Sequence, residues 1–151
     1  MAVTVVGALE GVQINNFEAS VPGLHYAQVQ TRAKAAGSEA TKYLANWVAP
    51  CDCRLVESYF MPLAAVSGAA TNSTHLNIVD VGLAGVGVVE LSTLELLNTI
   101  NLTANAKNAL NGVTGYATDL SAGDVLALQG ELLGTGLLVP EGTWVIVYDN
   151  V

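Results

Sequence analysis

From about residue 40 onward the chain is cut at short intervals by Gly, Pro, Asn and Ser, and that punctuation limits what it can become. Helices of ordinary length need uninterrupted runs, whereas short strands joined by turns do not. Residues 41–48 (TKYLANWV) form one candidate strand, closed by Ala49-Pro50. Residues 53–61 (CRLVESYFM) alternate, which sets Cys53, Leu55, Glu57, Tyr59 and Met61 on one face and Arg54, Val56, Ser58 and Phe60 on the other. Pro62 stops this run, because proline donates nothing to a ladder. Further strands are expected over 75–81, 88–97, 125–132 and 137–139, with a loop over 67–73 and turns at 82–87 and 121–124. Residues 143–148 (TWVIVY) are apolar on both faces and rich in β-branched and aromatic types, which predicts a central strand packed on both sides. Residues 101–111 are ambiguous, since Thr103 could cap a short helix through Ala104, Ala106 and Ala109. A weak strand is expected over 113–120.

The sum is an all-β chain, read as a jelly-roll-like β-sandwich of about seven or eight short strands after residue 40. The start of the chain looks different. Residues 1–45 read as an extended N-terminal arm, or else as the first hairpin of the sandwich, and 46–151 as the sandwich body. Charge marks the same boundary. Up to Ala45 there are three acids (Glu10, Glu18, Glu39) and three bases (Arg32, Lys34, Lys42), whereas the rest holds ten acids against Arg54 and Lys107. Arg32, Lys34 and Lys42 are therefore the candidate partner-binding residues, placed to meet an acidic neighbour.

Net charge is −8, which argues against a nucleic-acid partner, whose phosphates demand a basic footprint, and against an anionic membrane surface. Charged residues are only 12% of the chain and hydrophobic ones 52%. Soluble domains carry about 25% charge, so such a surface suits a chain covered in part by partner subunits. The first residues lack the basic stretch of a signal peptide, and no apolar run reaches the ~18 residues of a membrane span. Synthesis in a cytoplasm is the expectation.

No catalytic pattern emerges. His75 lies beside Ser73 and Thr74, but no Gly-x-Ser-x-Gly elbow fixes a nucleophile, so a surface histidine is the expectation. Gly82-x-x-Gly85-x-Gly87 departs from a phosphate loop and no basic residue follows it. Asp80, Asp119 and Asp124 do not form a calcium loop, and Asp124 reads as a turn residue. Cys51 and Cys53, with His25 and His75, are too few and too scattered for zinc; two reduced thiols are expected, with no metal and no cofactor. Trp47 and Trp144 read as core residues, the alternative being a sugar-binding platform.

Two stretches carry a family resemblance. One runs from Trp47-Val48-Ala49-Pro50-Cys51-Asp52-Cys53 through Met61-Pro62 to Val66-Ser67-Gly68-Ala69-Ala70-Thr71-Asn72. The other is Leu120-Ser121-Ala122-Gly123-Asp124-Val125-Leu126-Ala127-Leu128, then Gly134-Thr135-Gly136 and Pro140-Glu141-Gly142-Thr143-Trp144-Val145. This order resembles the decoration, or cement, proteins on the heads of tailed bacteriophages. The resemblance covers 47–148, and its motifs are turns and strands. It implies a β-sandwich or jelly-roll body, homo-oligomers that are often trimers, a seat on the outer capsid surface of the virion, and the major capsid protein as partner. The implied role is structural, clamping capsid subunits, and not enzymatic. The alternative is a carbohydrate-binding β-sandwich such as a head-fibre or adsorption protein.

Overall fold

The computed structural model describes residues 23–35, 41–83, 87, 89–96, 100–110 and 119–151. Among them are nine strands and no helix: β1 (Leu24–Thr31), β2 (Lys42–Val48), β3 (Cys53–Pro62), β4 (Thr74–Asp80), β5 (Val89–Glu95), β6 (Asn108–Ala109), β7 (Asp119–Leu120), β8 (Val125–Leu132) and β9 (Gly142–Asn150). They make a β-sandwich of two antiparallel sheets. Sheet one runs β1-β9-β3-β6, with β7 also paired to β3, and sheet two runs β2-β8-β4-β5.

The core lies between the sheets. Leu55, Phe60, Trp144 and Ile146 from sheet one meet Leu44, Leu76, Ile78, Leu126 and Leu128 from sheet two. Each such side chain contributes about 1.5–3 kcal/mol by leaving water. As expected, residues 143–148 supply the middle of a sheet. β9 lies between β1 and β3, and Trp144 through Tyr148 are all buried.

β3 departs from its expected faces. Leu55 pairs with Tyr148, but Glu57 pairs with Val147, so Val56 is an extra residue in a β-bulge. Before the bulge Cys53 and Leu55 face the core; after it Ser58 and Phe60 do, while Glu57 and Tyr59 turn outward. One inserted residue thus reverses the alternation, and it brings Ser58 under the indole of Trp144.

The short helix weighed for 101–111 is absent. Asn105 adopts a left-handed backbone (φ 53°), which no helix continues. The Asn108 side chain then replaces helical bonding: its Oδ1 accepts from Thr103 N (2.8 Å) and its Nδ2 donates to the carbonyls of Thr103, Ala106 and Phe60. Of the strand expected over 113–120, only β7 falls among the described residues, and 137–139 contributes a single bridge, Lys34↔Val139.

The division after residue 45 falls inside β2. In the described part of that stretch, β1 enters sheet one beside β9 and β2 enters sheet two beside β8. β1 and β2 do not pair with each other; each finds its ladder partner in a different sheet. Residues 1–22 and 36–40 lie outside the described residues.

Candidate functional site

Among the described residues the outer face of sheet two holds a connected set of polar side chains. Register places Tyr43, Gln129, Asn77 and Thr93 in one row across all four strands. Glu131, His75 and Glu95 form the next row. Thr93 Oγ1 donates to Asn77 Oδ1 (2.6 Å), and Asn77 Nδ2 donates to Glu131 Oε2 (2.9 Å) and Gln129 Oε1 (3.3 Å). Glu131 Oε2 lies 3.5 Å from His75 Nδ1. Asn77 is 1% exposed, so its amide is saturated by its neighbours and ties β5 to β8 across β4. The set holds strands in register; the Thr93 proton is directed at an amide oxygen, not at a base. Three of the four strands carry a signal for these two rows, a polar pair two residues apart: His75 and Asn77 on β4, Thr93 and Glu95 on β5, Gln129 and Glu131 on β8. Only the pairing of β4 with both β5 and β8 brings the pairs together.

His75 and its neighbours do not assemble a nucleophile. Thr74 is fully buried and points inward, where its hydroxyl accepts from Leu137 N (2.9 Å) and donates to Leu137 O (3.2 Å). Ser73 is buried as well. In the glycine run, Gly82 N donates to Asp80 Oδ1 (2.8 Å), so that carboxylate closes a turn; Gly85 lies outside the described residues. Asp124 acts as expected, accepting from Ser121 N at 2.8 Å. Asp119 pairs with Arg54 at 2.7 Å, and that guanidinium holds its carboxyl below the usual range.

Cys51 and Cys53 sit where β3 begins, both as free thiols. Cys51 Sγ donates to Asn150 Oδ1 (3.2 Å). Cys53 is fully buried, and burial, with Cys51, Asp52 and Asp124 nearby, pushes its thiol up to about 12. Burial and Asp52 raise Cys51 too. Such thiols stay protonated and unreactive near neutrality. Among the described residues no group of three or more His, Cys, Asp or Glu is placed to hold a metal.

The three candidate basic residues do not share one surface role. Arg32 is exposed, with its N–H on Leu44 O at 3.0 Å, and Lys42 is half-buried at the start of β2. Lys34 is 0% exposed, which removes it as a surface contact. Its stem crosses Gly130, where an added Cβ would come within 2.9 Å of Lys34 Cδ. Sequence offered no warning, because the absence of a side chain at Gly130, about 100 residues away in the chain, makes the space.

Apolar side chains remain exposed at Leu24, Tyr26 and Tyr43, and at Leu63 and Leu83 in the loops. On the outer face of sheet one, Tyr26, Val147 and Glu57 form one row and Gln28, Val145 and Tyr59 the next. Lys107 pairs with Glu57 and stands 4.8 Å over the Tyr59 ring.

No family model matches the chain, and no curated protein matches it. Among solved structures, a chain from the structure of infectious bursal disease virus Gt strain aligns with 98% of this chain at 11% identity and a TM-score of 0.34. The aligned part is 38% of that chain's length.

Proposed function

We propose that the chain is a structural protein of a tailed-phage virion, a decoration or cement protein seated on the outer surface of the head. Its partner in this reading is the major capsid protein, whose neighbouring subunits it holds together. The resemblance over 47–148 supplies the class. The winding of the chain supports it: β1 pairs with β9, β2 with β8, β3 with β6 and β7, and β4 with β5. The pairing supports reading the sandwich as one long antiparallel hairpin rolled across two sheets, in the manner of the jelly rolls used by viral capsid and lectin domains.

A fold alone selects no function. The observation that carries the choice is where the aromatic rings point. Trp144 is wholly buried, and Trp47 packs against Tyr148 with ring centres 5.2 Å apart. Among the described residues the two most exposed tyrosines, Tyr26 and Tyr43, stand on the outer faces of different sheets. A sugar platform wants coplanar rings on one surface, so the carbohydrate-binding reading is the weaker one. The polar row on sheet two clamps strands, which suits a mechanical part that is not an enzyme and uses no cofactor. Self-association belongs to the reading, in threes if the resemblance holds throughout.

The test is co-sedimentation with empty heads of the parent virus. Saturable binding that soluble sugars do not compete away supports the proposal. Failure to pellet with heads, together with retention on a glycan matrix, overturns it.

A further inference from the structure

Cys51 and Cys53 are separated by a single residue, and the fold brings their thiols to one place. Cys53 opens β3 and faces Asn150 across the ladder with β9. Facing residues of an antiparallel pair point to the same side, so the Asn150 side chain stands beside that of Cys53. Asn150 Oδ1 in turn accepts from Cys51 Sγ at 3.2 Å. The bend before β3 therefore turns Cys51 back to the side that Cys53 occupies, and the two thiols interact side chain to side chain. Cys53 lies wholly inside, whereas Cys51 is half-buried and within reach of solvent.

The surroundings select what such a pair can hold. Asp52, between the two, is engaged elsewhere: its Oδ1 accepts from Ala122 N at 2.8 Å. Asp124 Oδ2 accepts from Ser121 N. Zinc wants four ligands, and among the described residues no third His, Cys, Asp or Glu joins the two sulfurs to hold a metal. Burial and the nearby carboxylates keep Cys53 protonated, which disfavours any ligand that needs a free dithiolate. A disulfide requires the sulfurs about 2.05 Å apart, in a ring closed over one intervening residue. A three-coordinate centre meets none of these obstacles. It brings its own third substituent, takes up protonated thiols with loss of water, and adds an atom between the sulfurs.

We propose that Cys51 and Cys53 form a chelating site for trivalent arsenicals. An arsenoxide, R–As=O, reacts with both thiols. Two As–S bonds form, two S–H bonds and the As=O bond break, and the oxygen leaves as water with both thiol protons. No atom changes oxidation state. The first bond forms at Cys51, which solvent reaches, and the second at Cys53 inside. A reagent able to make one bond stops at Cys51. The fold supplies the effective concentration of the second thiol. The site is independent of the capsid reading.

Phenylarsine oxide is the probe, added to the reduced full chain and followed by intact mass and by thermal melting. A one-to-one adduct is expected, heavier by the arsenical less one water, stable to excess monothiol and removed by a dithiol. The adduct raises the melting temperature, because the folded chain holds the two thiols together and binds more tightly than the open chain. Cys51→Ser and, separately, Cys53→Ser lower the affinity by about a hundredfold or more, the loss expected when the second contact is no longer intramolecular. Cys51 is half-buried, so Cys51→Ser keeps the fold and carries the test even where Cys53→Ser does not fold. The proposal is overturned by the absence of an adduct, by an adduct that forms only in denaturant or lowers the melting temperature, or by a Cys51→Ser chain that binds as tightly as wild type.

Discussion

The indole Nε1–H of Trp144 donates to Ser58 Oγ at 2.7 Å, with both residues at 0% exposure. Ser58 Oγ also reaches the Val145 carbonyl at 3.2 Å, so one hydroxyl joins β3 to β9 twice in the interior. Ser58→Ala leaves the indole donor buried without that acceptor. The expected loss is about 1–3 kcal/mol, the cost of an unmet buried polar group. Denaturant unfolding monitored by tryptophan fluorescence measures it, and an unchanged midpoint contradicts the assignment.

Gly142 opens β9 where β1 and β3 converge on it, opposite Thr31 and Pro62. A Cβ there would strike the Met61 carbonyl and come within 2.7 Å of the Phe60 ring and 2.8 Å of Pro62 Cα. Backbone cannot swing aside as a side-chain tip can. Gly142→Ala is expected to cost at least the ~1–3 kcal/mol of an overpacked core. A thermal melt of the variant checks this, and a melting point equal to wild type would show that β3 yields easily.

Much of the sandwich is legible in the sequence. The run 125–132 coincides with β8, which a turn on its N-terminal side and a mostly apolar first half mark out, and 143–148 lies within β9, because that run is apolar at nearly every position, as a strand covered on both faces must be. β3 was legible as a strand but not in its faces, since period-two reasoning cannot see the extra residue at Val56. The Asn108 plug was hidden for another reason. Ala104, Ala106 and Ala109 suit a helix locally, and only the Phe60 carbonyl on β3 shows where the amide belongs. The surface row on sheet two and the burial of Lys34 depend on contacts between strands far apart in the chain, which no local window contains.

The cysteines give a chemical prediction. A folded-state thiol raised from 9.0 to about 12 at Cys53 means that the protein holds it neutral. A group that folding keeps protonated contributes its full stability below its open-chain value and loses it as pH rises toward the folded value. Stability should therefore decline between about pH 9 and about pH 12, and Cys53→Ala should flatten that decline. In the native protein at pH 8 a thiol reagent should modify half-exposed Cys51 slowly and Cys53 only after unfolding. Equal rates at the two sites in folded protein would contradict the burial that sets them apart.

A cryo-microscopy reconstruction of empty heads with and without the added protein tests most directly the proposed seat of this sandwich on the outside of a capsid. Sandwich-sized density is expected on the outer surface, touching more than one major capsid subunit and absent from untreated heads. Heads that reconstruct identically with and without folded, saturating protein would contradict it.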